Sequence, residues 1–109
     1  MDIKIFKLIT MEEVLSEVES EDETHYVLVN PVGIAVVRGK DGQPNVGFAP
    51  FPIHAEQKTG ATVALSKRNV VYSYEPAEDF KSNYHEALYP ILYQEQYKYQ
   101  TIANEKFQL

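Results

Sequence analysis

The sequence predicts a mainly β domain, a small and strongly bent antiparallel barrel of about five strands followed by one helix. Short segments rich in branched and aromatic residues recur from residue 4 to residue 74, with turn residues between them. Beyond them, Phe80, Tyr84 and Leu88 recur at every fourth position, which is the spacing of one helix face. So many short strands in roughly 75 residues suit a small bent barrel.

The first strand is predicted over residues 4–8, where apolar and charged residues alternate weakly. The next segment, residues 10–20, is open to two interpretations. A capping-box spacing at its start and a stripe of apolar residues slightly favour a helix. The alternation of Val14, Ser16 and Val18 fits a strand instead.

The strongest β signal lies in residues 26–37, which are rich in valine and other branched residues. Pro31 and Gly33 interrupt this run and predict a bend or bulge in one long strand. Residues 45–51 are predicted as an irregular strand at a sheet edge or as a loop, because three prolines lie in or beside them.

Two further strands are predicted over residues 62–65 and 69–74, with a tight polar turn between them. Pro76 starts the helix and Pro90 ends it. The sequence after it, with Tyr93, Tyr97 and Tyr99, is predicted to be a flexible tail. The predicted organisation is a barrel over residues 1–76, a helix over 77–90 and a tail over 91–109.

The charge is concentrated at one end of the chain. The 109 residues include 10 Lys and Arg and 16 Asp and Glu, so the formal net charge is −6. Residues 1–23 hold eight of the acids and two of the bases, and the rest of the chain is neutral. An acidic protein is a poor default binder of nucleic acid, but a neutral body leaves that function open. The simpler interpretation of the acidic segment is a solvated face that aids solubility.

Several function classes have no signature in this sequence. It contains no cysteine, which excludes disulfides, zinc fingers and thiol nucleophiles and fits a reducing compartment. It contains no phosphate-binding glycine loop, nucleophile elbow or paired-histidine metal helix, and its three histidines are widely separated. We therefore expect a protein that is not an enzyme and has no cofactor or metal. The first residues lack a signal-peptide pattern and no apolar run has membrane-spanning length, so we expect a cytoplasmic protein without a membrane partner.

Two short segments are candidate binding sites. His25 and Tyr26 lie where an acidic turn enters a strand, and their rings could stack on the bases of a single strand. The alternative is a solvated turn histidine beside an ordinary sheet tyrosine. Lys67 and Arg68 are the one pair of adjacent bases in the sequence, and with Asn69 they could hold a phosphate and a base edge. The alternative there is an ordinary polar turn.

Taken in order, these segments resemble an Sm/LSm domain, whose fold is a five-stranded bent barrel of the SH3 type. Residues 4–8 match its first strand and residues 14–18 its second, which favours the strand interpretation of that segment. Residues 22–26 occupy the position of the family's Asp-x-x-Met-Asn loop, with Asp22 as the literal match. Residues 66–69 occupy the position of the second motif, a short cationic turn between the last two strands.

The chain also resembles the short Sm-like proteins of marine cyanobacterial phages. Residues 8–14 match their Leu-x-x-Gly-Glu-Glu-Val-type opening hairpin, with Met11 in the place of the glycine. Tyr74, Glu75 and Pro76 match the Tyr-Glu-Pro that follows their last strand. This resemblance would place the protein in the cytoplasm of an infected host.

The Sm resemblance implies a ring of about five to eight subunits with both motif turns facing a central pore. It implies that His25 stacks on a base and that Tyr26 stacks or donates a hydrogen bond. Lys67 and Arg68 would contact phosphate, and Asn69 a base edge. The resulting hypothesis is a non-enzymatic ring that binds single-stranded RNA, or DNA, and acts in nucleic-acid processing. The alternative is a structural or protein-interaction module of phage origin without a nucleic-acid ligand.

Overall fold

The chain forms one antiparallel β-sheet and one helix after it. The structure, a computed structural model, describes residues 1–54 and 60–93. This confirms the predicted mainly β class with a C-terminal helix. Its elements are β1 (Asp2–Leu8), β2 (Glu13–Glu21), β3 (His25–Arg38), β4 (Pro44–Pro50), β5 (Thr62–Ser66), a 3-10 turn (Lys67–Asn69), β6 (Val70–Tyr74) and α1 (Glu78–Tyr93).

Five strands pair in the order β4-β3-β2-β1-β6, and the sixth, β5, also pairs with β3. Strand β3 therefore has three partners and is the centre of the sheet. The first half of β3 pairs with β5, from His25 opposite Ser66 to Val29 opposite Thr62. Its second half pairs with β4 along the same edge. The prediction of one long strand through Pro31 is thus confirmed, and the bend coincides with Asn30, whose φ is 54°.

Strand β2 settles the ambiguous segment, so the helical interpretation of residues 10–20 is wrong. Val14, Leu15 and Ser16 are all buried, and β2 has both faces covered, because Leu15 packs in one apolar cluster and Val14 in a second. A strand buried on both faces loses the strict alternation of apolar and polar residues. Its consecutive apolar residues therefore resemble the apolar stripe of a helix.

Bulges interrupt the pairing of two pairs of strands. The pairing of β2 with β3 shifts register twice, and the pairing of β1 with β6 shifts once, at Lys7 and Leu8. Each bulge increases the local twist. The pairing path β5-β3-β2-β1-β6 starts and ends at strands that are joined by only the three residues Lys67–Asn69. The sheet must curl to bring these ends together, yet no ladder joins β5 to β6 within the described residues, so the sheet is not closed.

Apolar side chains form two clusters because successive strand residues point to opposite faces. Helix α1 covers one face and contributes Tyr84 and Ala87 to its cluster. The other face holds the second cluster, in which Phe6 and Val14 are completely buried. The first cluster comprises Ile5, Leu15, Val32, Phe48, Tyr84 and Ala87, and the second Phe6, Leu8, Val14, Leu28 and Leu65.

The predicted helix is present, and Tyr84 is buried with Phe80 and Leu88 packed beside it, as the four-residue spacing predicts. The helix continues for three residues past Pro90, so the predicted end at that residue is wrong. A proline removes one main-chain hydrogen bond, and this cost does not end a helix whose earlier turns pack on a sheet. Residues 94–109, most of the predicted tail, lie outside the described residues.

The segment of residues 45–51, predicted as an irregular strand or a loop, forms strand β4 and pairs with β3 from Pro44 to Pro50. The two prolines lie at the strand's ends, where a missing N–H does not interrupt a ladder. Among the described helices, none is both long and apolar enough to cross a bilayer.

Candidate nucleic-acid interface

The two predicted binding segments lie side by side in the structure. We call His25, Tyr26, Lys67, Arg68 and Asn69 the two-turn site. The main-chain N–H of Lys67 donates a 2.8 Å hydrogen bond to the carbonyl of Thr24. This bond continues the β3–β5 ladder, in which His25 lies opposite Ser66. Segments more than 40 residues apart in the sequence therefore form one surface.

Asp22 shapes the turn that leads into β3. Its Oδ1 accepts 2.8 Å hydrogen bonds from the main-chain N–H groups of Thr24 and His25, and a 3.1 Å bond from the Thr24 hydroxyl. An aspartate that accepts such bonds holds its own turn. The hydrogen bonds from Thr24 and His25 lower the pKa of the Asp22 carboxyl. Asp22, the literal match to the Sm motif, therefore fixes the main chain that carries His25.

His25 is exposed, and its Nδ1 lies 2.8 Å from the Thr24 hydroxyl in a hydrogen bond. Tyr26 is half-buried, and its ring packs on Phe6 with 4.8 Å between the ring centroids. Of the two predicted stacking residues, His25 therefore presents its ring to solvent. Tyr26 is already engaged with the protein on part of its surface.

Lys67 has two partners inside the chain. Its Nζ lies 2.6 Å from Glu21 Oε2 and 4.9 Å from the centre of the Tyr26 ring. The hydrogen bond and charge of Glu21 raise the pKa of Lys67, and Lys67 lowers the pKa of Glu21 in return. The cation predicted to contact phosphate is therefore paired with a carboxylate. The sequence did not identify Glu21 as the partner of Lys67, because 46 residues separate the two.

Arg68 and Asn69 are exposed on the 3-10 turn. The Ser66 hydroxyl caps this turn by accepting a 3.3 Å hydrogen bond from the Arg68 N–H. The Asn69 carbonyl accepts a 2.8 Å bond from the N–H of Ile9, which anchors the turn to the end of β1. Within residues 1–54 and 60–93, the guanidinium of Arg68 forms no hydrogen bond or ion pair. Both side chains are accessible to a ligand.

Formal charge at this surface is close to balanced. Lys67 and Arg68 supply two positive charges, and residues 21–23 supply three negative ones. The arrangement can pair one anion with Arg68 directly. A second anion must compete with Glu21 for Lys67.

A second surface feature escaped the sequence analysis. A groove of about 420 Å³ lies beside the base of the β3–β4 hairpin. The residues that line it include the apolar segment 51–53 and the acidic residues Glu12 and Glu13. The small residues Gly33 and Ala49 also line it. Its residues come from three separate segments, so only the folded chain assembles it.

No group of three or more acidic or histidine side chains is arranged to hold a metal ion in the described part of the chain. The chain matches no protein-family model, and no curated protein sequence is significantly similar to it.

Proposed function

We propose that this protein is a non-enzymatic, Sm-like, ring-forming protein that binds single-stranded RNA at the two-turn site and acts in nucleic-acid processing. The observation that supports this best is the contact between two turns that are distant in the sequence, made by the Lys67 N–H and the Thr24 carbonyl. These are the turns that the Sm resemblance assigns to a nucleic-acid-binding pore. Single-stranded DNA offers the same phosphate and base chemistry and is the second ligand to test.

Each residue has a distinct role in the proposal. Arg68 contacts phosphate, because its guanidinium is exposed and has no partner in the described residues. His25 stacks on a base and Asn69 hydrogen-bonds a base edge, since both side chains are exposed on adjoining turns. Lys67 and Tyr26 join the interface once the Lys67 ammonium leaves its internal partners.

The ring part of the proposal is supported by two unpaired sheet edges. Within the described residues β5 pairs only with β3, and β6 pairs only with β1. Strand β6 exposes Val71, Tyr72 and Tyr74, which is unusual for a free edge in a soluble monomer. Pairing β5 of one subunit with β6 of the next would cover both edges around a closed ring of about five to eight subunits.

Two local features support the Sm-like identity. The three-residue connection between β5 and β6, the two ends of the pairing path, requires the sheet to curl and suits a small bent barrel. Met11 stands where the phage proteins resembled by this chain carry glycine, and its φ of 76° is a conformation that glycine adopts without strain. The resemblance also assigns the protein to the cytoplasm of a phage-infected host.

The decisive experiment measures fluorescence anisotropy of labelled oligo-uridylate, oligo-adenylate and single-stranded DNA at low salt. We expect binding that falls steeply with salt and that Arg68→Ala weakens for all three probes. Binding by none of the three would overturn the nucleic-acid function. Light scattering on a sizing column tests the ring, and a monomer at micromolar concentration would contradict it.

The second candidate is a structural or protein-interaction module without a nucleic-acid ligand. It is favoured by the groove lined by residues 51–53, Glu12 and Glu13, together with the near balance of charge at the two-turn site. This candidate predicts an oligomer that binds none of the labelled strands.

A further inference from the structure

The ammonium group of Lys67 is bound inside the chain by the two kinds of group that a nucleic acid would offer it. Glu21 supplies an anionic oxygen at 2.6 Å, the position that a phosphate oxygen would take. Tyr26 supplies an aromatic face 4.9 Å from the ammonium, so the same cation covers part of a ring that a base could stack on. Through its contact with Lys67, Glu21 thus keeps the ammonium paired and one face of the Tyr26 ring partly covered.

The pair is accessible to a competing anion. The Lys67 side chain is 30% exposed and that of Glu21 is 50% exposed, so solvent and salt screen their attraction. A phosphate bound to Arg68 would lie beside Lys67, because the two residues are adjacent in the sequence. Exchange of one oxygen partner for another at an exposed pair requires no change in the fold.

We propose that Glu21 is an intramolecular competitor for phosphate, so that a single strand binds fully at the two-turn site only when Lys67 exchanges the Glu21 carboxylate for a phosphate oxygen. The inference rests on the proposed nucleic-acid function and specifies how that site is regulated. The exchange moves the ammonium away from the Tyr26 ring and makes this face available to a base. Arg68 provides the first contact, and the displacement of Glu21 provides the second.

Glu21 is distinguished from its acidic neighbours by this contact. Glu19 lies on the same strand, is exposed and carries the same charge, but it forms no hydrogen bond or ion pair in the described residues. Removing the charge of Glu19 relieves general repulsion only. Removing the charge of Glu21 relieves the same repulsion and also releases Lys67. The two glutamine variants therefore form a matched pair.

The experiment compares wild type, Glu21→Gln and Glu19→Gln by anisotropy with labelled oligo-uridylate over a range of salt concentrations. We expect Glu21→Gln to tighten binding about two- to fivefold beyond Glu19→Gln, the range given by an exposed ion pair. We also expect Glu21→Gln alone to steepen the salt dependence, by up to about 0.7 in log K against log salt. In wild type, Glu21 keeps the Lys67–phosphate contact only partly occupied, and in the variant that contact forms fully and releases its counterion from the strand.

The same comparison in a Lys67→Ala background completes a double-mutant cycle. There the competition no longer exists, so Glu21→Gln should act no differently from Glu19→Gln. Equal effects of the two glutamine variants in the wild-type background, with binding that still depends on Arg68, would overturn the inference and leave the proposed function standing. Absence of strand binding by all variants would overturn the proposed function itself.

Discussion

The hydroxyl of Tyr84 donates a 2.7 Å hydrogen bond to the main-chain carbonyl of Asn30, which ties helix α1 to the bend in β3. Asn30 lies at that bend with a φ of 54° and interrupts the ladder between the halves of β3 that pair with β5 and with β4. Its N–H donates to the carbonyl of Ala61, and its side-chain Oδ1 accepts from the N–H of Gly60. One residue therefore joins the helix, the central strand and the chain that enters β5.

The Tyr84 hydroxyl should contribute measurably to stability. Tyr84 is completely buried, so Tyr84→Phe keeps the packing of the ring but leaves a partly buried carbonyl without this donor. We expect a loss of about 1–2 kcal/mol in the free energy of unfolding, measured by urea denaturation. Tyr72→Phe is the control, because that ring is exposed on β6, and its effect should stay within about 0.5 kcal/mol. Equal effects of the two variants would contradict the role given to the hydrogen bond.

Asn30 tests the backbone and side-chain contributions separately. Asn30→Gly keeps a residue that tolerates positive φ but removes the side-chain bonds to Gly60 and Glu17. Asn30→Ala removes the same bonds and adds the cost of placing an alanine in the left-handed region. Both variants should be destabilised in urea, with the alanine variant less stable than the glycine variant by about 1 kcal/mol. An alanine variant as stable as the glycine variant would show that the backbone relaxes at the bend.

Met11 offers a stabilising substitution. It is exposed in the β1–β2 turn with a φ of 76°, a conformation in which a Cβ is strained. We expect Met11→Gly to raise the free energy of unfolding by about 0.5–1 kcal/mol, the strain relieved less the greater chain entropy of an unfolded glycine. Met11→Ala keeps the Cβ and is the control, with little expected change. A destabilised glycine variant would mean that the Met11 side chain contributes contacts that outweigh the strain.

The sequence predicts those parts of the fold that depend on local pattern, and it is less informative where long-range pairing decides. The long β3 strand follows from its branched residues, and the packed face of α1 follows from Phe80, Tyr84 and Leu88. The strand β2 could not be decided from spacing, because both of its faces are buried and bulges break its alternation. The elements that cover these faces, helix α1 among them, lie elsewhere in the chain and cannot be predicted from the segment itself.

The candidate site shows the same division. The two turns were identified from residue type and from the family resemblance, and the structure brings them together at Lys67 and Thr24. The partner of Lys67 could not be identified, because Glu21 reaches it only through the registers of β2 with β3 and of β3 with β5. A sequence shows that a cation is present in a turn. It does not show which acid a sheet register will place beside it.

The turn that carries His25 should respond to acid through Asp22. The hydrogen bonds from Thr24 and His25 lower the Asp22 pKa from its ordinary value of 3.8 in the folded state. A lowered folded pKa stabilises the protein above the unfolded value, and this contribution is lost as pH falls below about 3.8 through the folded pKa. Asp22→Asn should therefore flatten the decline of the urea midpoint in this acidic range. Glu23→Gln is the control, since that exposed side chain has no hydrogen-bond partner in the described residues, and it should leave the decline unchanged.

The proposed ring predicts that a charge on the free edge of β6 separates the subunits without unfolding them. Val71 is 60% exposed in the described single chain, so Val71→Lys costs the monomer little, whereas a lysine at a paired edge would be desolvated against the next subunit. We expect the variant to elute as a smaller species in light scattering at micromolar concentration, with an unchanged circular dichroism spectrum. Val36→Lys is the matched control, because Val36 is equally apolar, 73% exposed and far from β6 in the pairing order, on β3. If both lysine variants keep the wild-type mass, subunits do not associate through β6; if both lose it equally, the effect belongs to surface charge in general and not to this edge.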